Sequence, residues 1–128
     1  MNLLLDTHVL IWALGAPRRL RPEALRAIEN PENSVVVSAV SAMEIAIKQS
    51  LGKIDLPGPA ESWLEPAIRD AGFDIIPVSF QDALRLRALP WHHRDPFDRL
   101  LVAQALGGYT LCTNDERLAE YPISVFSA

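Results

Sequence analysis

The chain of 128 residues holds one cysteine, two lysines and no apolar run of membrane-spanning length. The lone Cys112 has no partner for an internal disulfide, and no zinc site can be built from cysteine pairs, so a disulfide-stapled scaffold is excluded. The opening Met-Asn-Leu-Leu-Leu-Asp meets a carboxylate at position 6, without the basic stretch and long apolar core of a secretory leader. A bilayer span needs roughly 18 to 20 apolar residues, so no membrane association is expected and the cytoplasm is the expected compartment. Positive charge is scarce too: 12 Lys and Arg against 16 Asp and Glu give a net charge of −4. A protein that coats nucleic acid carries a broad basic field, and this chain has none. An enzyme that cuts nucleic acid is not excluded, because catalytic acids count as negative until divalent cations offset them.

With 49% hydrophobic and 22% charged residues, the composition is that of a folded protein with one sizeable core, and residues 1–128 are read as one domain. Apolar patterning alternates between short runs and helical spacing. Leu3-Leu4-Leu5 ends at Asp6, and Val9 to Leu14 then fall on one helical face that stops at Gly15. Pro22 opens a helix to about Glu29, and Ser34-Val-Val-Val-Ser38 is a β-branched run. Ser41 and Glu44 then have the spacing of a capping box ahead of a helix that ends near Gly52. A helix from about Ala60 to Ala71, a strand over Phe73–Val78 and a capped helix from Ser79 to about Leu89 follow. Asp95-Pro96 opens a helix that is apolar nearly all round and ends at Gly107-Gly108, so it should be buried. Tyr109–Thr113 and Ile123–Phe126 are the last strands. The alternation predicts an α/β fold with a central parallel sheet of four to five strands and helices on both faces.

Asp6, Glu44 and Asp115 each follow a predicted strand and stand at a helix start, which sets three carboxylates on one edge of the sheet. Asp98 lies in the first turn of the most apolar helix and Asp95 one turn earlier. Taken singly, each acid is explained by helix capping and the helix dipole. Caps are as readily Ser, Thr or Asn, however, and four carboxylates in one cleft repel one another unless cations are present. Oxygen ligands without cysteine point to the hard ions Mg²⁺ or Mn²⁺. Such ions clamp phosphates and activate water, which is the chemistry of phosphodiester hydrolysis. Two other acidic α/β readings are an aspartyl-phosphate phosphatase and a non-catalytic regulatory module. Asp6-Thr7-His8 lacks the second Asp two residues on that the phosphatase needs, and Lys48 and Lys53 are the only lysines available to a receiver-type module.

Leu5-Asp6-Thr7-His8, Ser41-Ala-Met-Glu44-Ile45, Asp95-Pro-Phe-Asp98-Arg-Leu-Leu-Val-Ala-Gln-Ala105 and Thr113-Asn-Asp115, in this order and spread over the whole chain, resemble the PIN-domain family, and more narrowly the VapC-type toxins of bacterial toxin–antitoxin pairs. The resemblance implies a metal-dependent endoribonuclease with an RNA substrate, a cognate antitoxin and a homodimeric assembly. It carries the family's acids onto Asp6, Glu44, Asp98 and Asp115 as catalytic metal ligands. Asp6 and Asp98 are then central, and Glu44 and Asp115 complete the pocket directly or through waters. Thr7 and Thr113 become hydroxyl supports, and Asp95 a helix cap beside the ligands.

Smaller features have two readings each. Arg18, Arg19 and Arg21 form the only basic concentration apart from Arg26, either a solvated face or a contact for RNA phosphates or an acidic antitoxin segment. Arg94 and Arg99 flank the acids and could hold a phosphate or orient carboxylates. His92 and His93 lack the spacing of a zinc pair and read as a solvated loop or an RNA contact. Trp91 is the tryptophan placed to stack on a base, and Cys112 a small buried hydrophobe.

Overall fold

The computed structural model describes residues 1–128. The elements run β1 (Asn2–Leu5), α1 (Thr7–Gly15), α2 (Pro22–Glu29), β2 (Ser34–Ser38), α3 (Ala39–Ser50), α4 (Ala60–Asp70), β3 (Asp74–Ile76), α5 (Phe80–Arg85), α6 (Pro96–Ala105), β4 (Thr110–Thr113) and β5 (Ser124–Ser127), with short 3-10 turns at Pro17–Arg19, Leu86–Ala88 and Glu116–Glu120. All five strands are parallel, in the order β3-β2-β1-β4-β5. Parallel strands need crossovers, and the helices that make them bury both faces of the sheet.

The period of two along β1 divides the core. Leu3 and Leu5 face one side, where α1, α2 and α4 pack through Val9, Leu10, Ala24, Ile28, Leu64 and Ile68. Leu4 faces the other, against Leu101, Val102 and Ala105 of α6 with Leu118 and Tyr121. α3 serves both sides, giving Ile45 to the first core and Val40 to the second.

Three elements differ from the pattern-based expectation, and of the strand expected over Phe73–Val78 only Asp74–Ile76 pairs. α3 starts at Ala39, capped by Ser38, whose hydroxyl accepts the Val40 N–H at 3.0 Å. Ser41 and Glu44 are therefore no capping box, and Glu44 lies in the second turn. The strand Ser34–Ser38 runs straight into its helix, so its last serine takes the cap that the later Ser-x-x-Glu spacing imitates. The helix expected to reach Leu89 is shorter, ending at Arg85 and tightening into the 3-10 turn. The capping box of Ser79 with Asp82 is present as read.

From β1 the chain moves outward to β2 and β3, then returns to the other side of β1 to lay down β4 and β5. The order reverses between β1 and β4. In open α/β sheets the carboxyl ends of the strands at such a reversal form a crevice.

Candidate metal centre

β1 and β4 deliver the first two parts of the crevice. Their pairing runs to Leu5 opposite Cys112 and ends with the Asp6 N–H donating to the Cys112 carbonyl at 3.0 Å. The next residues, Asp6 and Thr113, therefore emerge side by side. Asp6 caps α1, its Oδ1 accepting the His8 N–H at 2.8 Å, and its Oδ2 accepts the Thr113 hydroxyl at 2.6 Å. Burial pushes the Asp6 carboxyl upward in pKa, and the Thr113 hydroxyl and His8 N–H oppose that shift. Thr7 does not touch an acid. Its hydroxyl donates to Ser41 Oγ at 2.9 Å and ties α1 to α3 one turn ahead of Glu44.

Glu44 is only 4% exposed and is bonded to Lys48, four residues on along α3. That bond is the main cause of a raised Lys48 pKa, with the charges of Glu44, Asp95 and Asp98 adding to it and burial opposing. Asp95 is the N-cap of α6, with Oδ1 accepting the N–H groups of Phe97 at 2.8 Å and Asp98 at 3.2 Å. Asp115 caps the turn behind β4 and is gripped by Arg117, which donates from Nε to Oδ1 at 3.1 Å and from Nη2 to Oδ2 at 2.9 Å.

Asp98 has no lysine or arginine bonded to it. Desolvation, followed by the charges of Asp95, Asp6, Glu44 and Asp115, pushes its pKa to about 7. Asp115 stands at the opposite extreme. The Arg117 side chain, with help from the Arg117 N–H and His93 and against its own desolvation, holds it at about 2. The difference follows from burial and from the placement of cations: Asp98 is the more desolvated, and a guanidinium serves Asp115 alone.

Asp6, Glu44, Asp95, Asp98 and Asp115 line one open cleft of about 830 Å³, together with His8, Trp12, Arg19, Lys48, His93 and Arg117. The structure thus brings together the four acids predicted as ligands and the predicted cap Asp95. The donor set is carboxylate oxygen, and Asp98 lies among four other acids with no lysine or arginine bonded to it. Both features fit a hard divalent cation, which Asp98 and Asp6 would hold with Glu44 and Asp115 beside them.

The remaining predicted residues divide. Arg19 lines the cleft with its guanidinium 5.1 Å from the Trp12 ring. Arg18 and Arg94 are exposed outside it, and Arg21 lines a smaller depression next to Thr113 and Asp115. His92 leans on Tyr121 edge-on and pairs with Glu120 at 3.3 Å. Arg99 contradicts the reading that it orients the acids or holds a phosphate. It is 3% exposed and turned away from Asp98. Its guanidinium donates to the carbonyls of Leu86, Leu89, Pro90 and His93 and to Tyr121 Oη, at 2.9 to 3.4 Å. A helix turns about 100° per residue, so Asp98 in the cleft puts Arg99 underneath it, where five oxygens replace its water.

His93, read from sequence as a solvated loop or an RNA contact, is buried at the cleft wall. Lys48 and Arg117 also line the cleft, and sequence reasoning misses both. Lys48 has a signal in its i, i+4 spacing from Glu44; His93 has none, because the path of its loop has no period.

The PIN domain profile matches residues 3–123. The ribonuclease VapC22 of Mycobacterium tuberculosis (strain ATCC 25618 / H37Rv) is 35% identical, with 98% of each chain covered. Among solved structures, VapBC2 from Rickettsia felis bound to a DNA fragment from its promoter superposes with a TM-score of 0.72 at 17% identity, covering 99% of this chain and 98% of that one. DNA-bound VapBC from Salmonella typhimurium does so at 0.69 and 20%, with 99% and 98% covered. Profile, full-length relative and shared fold agree with the acids at the reversal of strand order: this chain belongs to the PIN-domain family.

Proposed function

We propose that the protein is a divalent-metal-dependent endoribonuclease, Mg²⁺ or Mn²⁺ serving as the ion, and the toxin of a toxin–antitoxin pair. The observation that carries the reading is the open cleft in which Asp6, Glu44, Asp98 and Asp115 converge with Asp98 left uncompensated. A bound cation there supplies charge for the phosphodiester and lowers the pKa of water. The chain's own groups do the positioning. Thr113 and the His8 N–H fix the Asp6 carboxylate, Lys48 holds Glu44, and Arg117 holds Asp115. Arg19 at the cleft adds a cation that can meet a phosphate of the substrate.

The aspartyl-phosphate alternative needs a second Asp two residues after Asp6 as acid and base, and that position is His8. Trp91 is 74% exposed, with Arg99 3.7 Å beneath its ring, so its outer face is open to a base. The relative's name and the VapBC neighbours support a ribonuclease with a cognate antitoxin. For a second copy of the chain, the support is a stripe of exposed apolar side chains along α3 and just past its end, Met43, Ile47 and Leu51.

Cleavage of total and transfer RNA with Mg²⁺, Mn²⁺ or EDTA, by wild type and by Asp98→Asn purified identically, tests the reading. Discrete cuts that need both the ion and Asp98 are expected. Cleavage by Asp98→Asn at the wild-type rate would remove the mechanism.

A further inference from the structure

His93 Nε2, Asp98 and Asp115 present three potential metal-ligand atoms within 4.8 Å of one another. The obvious reading makes His93 a ligand. Its hydrogen bonds argue otherwise. Nδ1 accepts the backbone N–H of Asp95 at 3.0 Å, and a ring nitrogen that accepts carries no proton. The ring proton therefore sits on Nε2, the atom that lies 3.1 Å from Asp115 Oδ2 and 3.2 Å from Asp98 Oδ2. Nε2 thus donates to Asp115 Oδ2, lies in close contact with Asp98 Oδ2, and has no lone pair for a cation.

The rest of the loop holds the ring in this pose. The His93 N–H donates to Tyr121 Oη at 3.1 Å, and the His93 carbonyl accepts from Arg99 Nη1. The Asp95 N–H that fixes the ring belongs to the same residue whose carboxylate caps α6 and bonds the Asp98 N–H. The tautomer is thereby coupled to the start of the helix that carries Asp98.

We propose that His93 is a positioning residue whose Nε2–H holds Asp115 while its ring edge abuts Asp98, setting the gap between these two acids without ligating the ion. An imidazole N–H suits this role, since it fixes Asp115 alongside the Arg117 guanidinium's grip without adding a lysine or arginine next to Asp98. The proposal rests on the reading of Asp98 and Asp115 as parts of a metal centre.

Two measurements test it, and neither uses RNA. Long-range ¹H–¹⁵N NMR of the histidine rings reports the tautomer. His93 is expected to carry its proton on Nε2 both without metal and at saturating Mg²⁺. A proton on Nδ1 in either state, or loss of the Nε2 proton when Mg²⁺ binds, makes His93 a ligand and overturns the proposal. The second measurement is Mn²⁺ affinity by calorimetry for two variants checked for folding by circular dichroism. His93→Gln can place an amide N–H where Nε2 was but gives up the bond to Asp95, whereas His93→Asn can keep an acceptor for Asp95 but is too short to reach the acids. Removing an outer partner of a metal ligand typically costs about 10- to 100-fold in affinity, so His93→Asn should fall in that range and His93→Gln stay within about threefold of wild type. The reverse order would show that His93 only stiffens its loop. Wild-type protein that binds neither ion would defeat the metal-centre reading, and the tautomer of the metal-free protein would still decide the donor role of His93.

Discussion

Asp98→Asn should make the metal-free protein more stable while ending its activity. In the fold the Asp98 pKa is raised from 3.8 to about 7. Between those values the native state binds a proton that the unfolded chain does not, so stability falls as pH rises through the window and the whole penalty is present above pH 7. Three units at 1.36 kcal/mol each come to about 4 kcal/mol; because the side chain is 20% exposed, solvent screening reduces the expectation to about 2 kcal/mol. Asparagine removes the charge and keeps nearly the same shape beside His93. Urea unfolding in EDTA should show the variant about 2 kcal/mol more stable at pH 8, a rise of about 6 to 8 °C in Tm, with the gap closing to about 0.5 kcal/mol at pH 4.5. Added Mg²⁺ should stabilise wild type by mass action and leave the variant nearly unchanged. A stability difference that does not vary with pH, or a variant weaker than wild type at pH 8, would refute the claim that Asp98 is uncompensated.

Arg99→Lys should lose about 3 kcal/mol in urea unfolding, since an ammonium on a flexible stem cannot meet five oxygens arranged around a planar fork; a loss below about 1 kcal/mol would assign the loop's order to other contacts. Burial pushes the Cys112 thiol to about 12, with Asp6 adding to the shift. Native protein at pH 8 should therefore resist a thiol-specific disulfide reagent and react fully once denatured, and rapid native labelling would contradict the buried β4. Ile47→Asp, in the middle of the exposed α3 stripe, should convert a dimer to a monomer in light scattering with the circular dichroism spectrum unchanged, whereas an unchanged mass would place the self-association face elsewhere.

Asp6 and Asp115 are legible in the sequence because a short apolar run followed by an acid and a helical pattern fixes where a strand ends, and all such ends of a parallel sheet point one way. Asp98 is legible from the Pro-opened apolar helix. The same pattern bears on Arg99, since a residue inside a helix apolar on nearly all sides shares its burial, yet its nearness to the acids suggests a role at the cleft instead. Glu44 is found for a partly wrong reason, its spacing from Ser41 imitating a cap that Ser38 provides. His93 lies beyond reach because it depends on a loop whose course is set by Arg99 and Tyr121, residues 6 and 28 positions away.

The position of β1 in the middle of the sheet also bears on when the cleft can exist. Asp6 is made before the rest of the cleft, yet the hydroxyl that fixes its carboxylate comes from Thr113, 107 positions later, and Asp98 and Asp115 also follow long after it. At about 10 residues per second of synthesis, roughly ten seconds separate the first acid from the last. A nascent chain that has laid down only β1, β2 and β3 carries two of the four acids and no neighbour on the open side of β1. The cleft thus stays incomplete until β4 has been made, and a product cut short before it would lack Thr113 and Asp115.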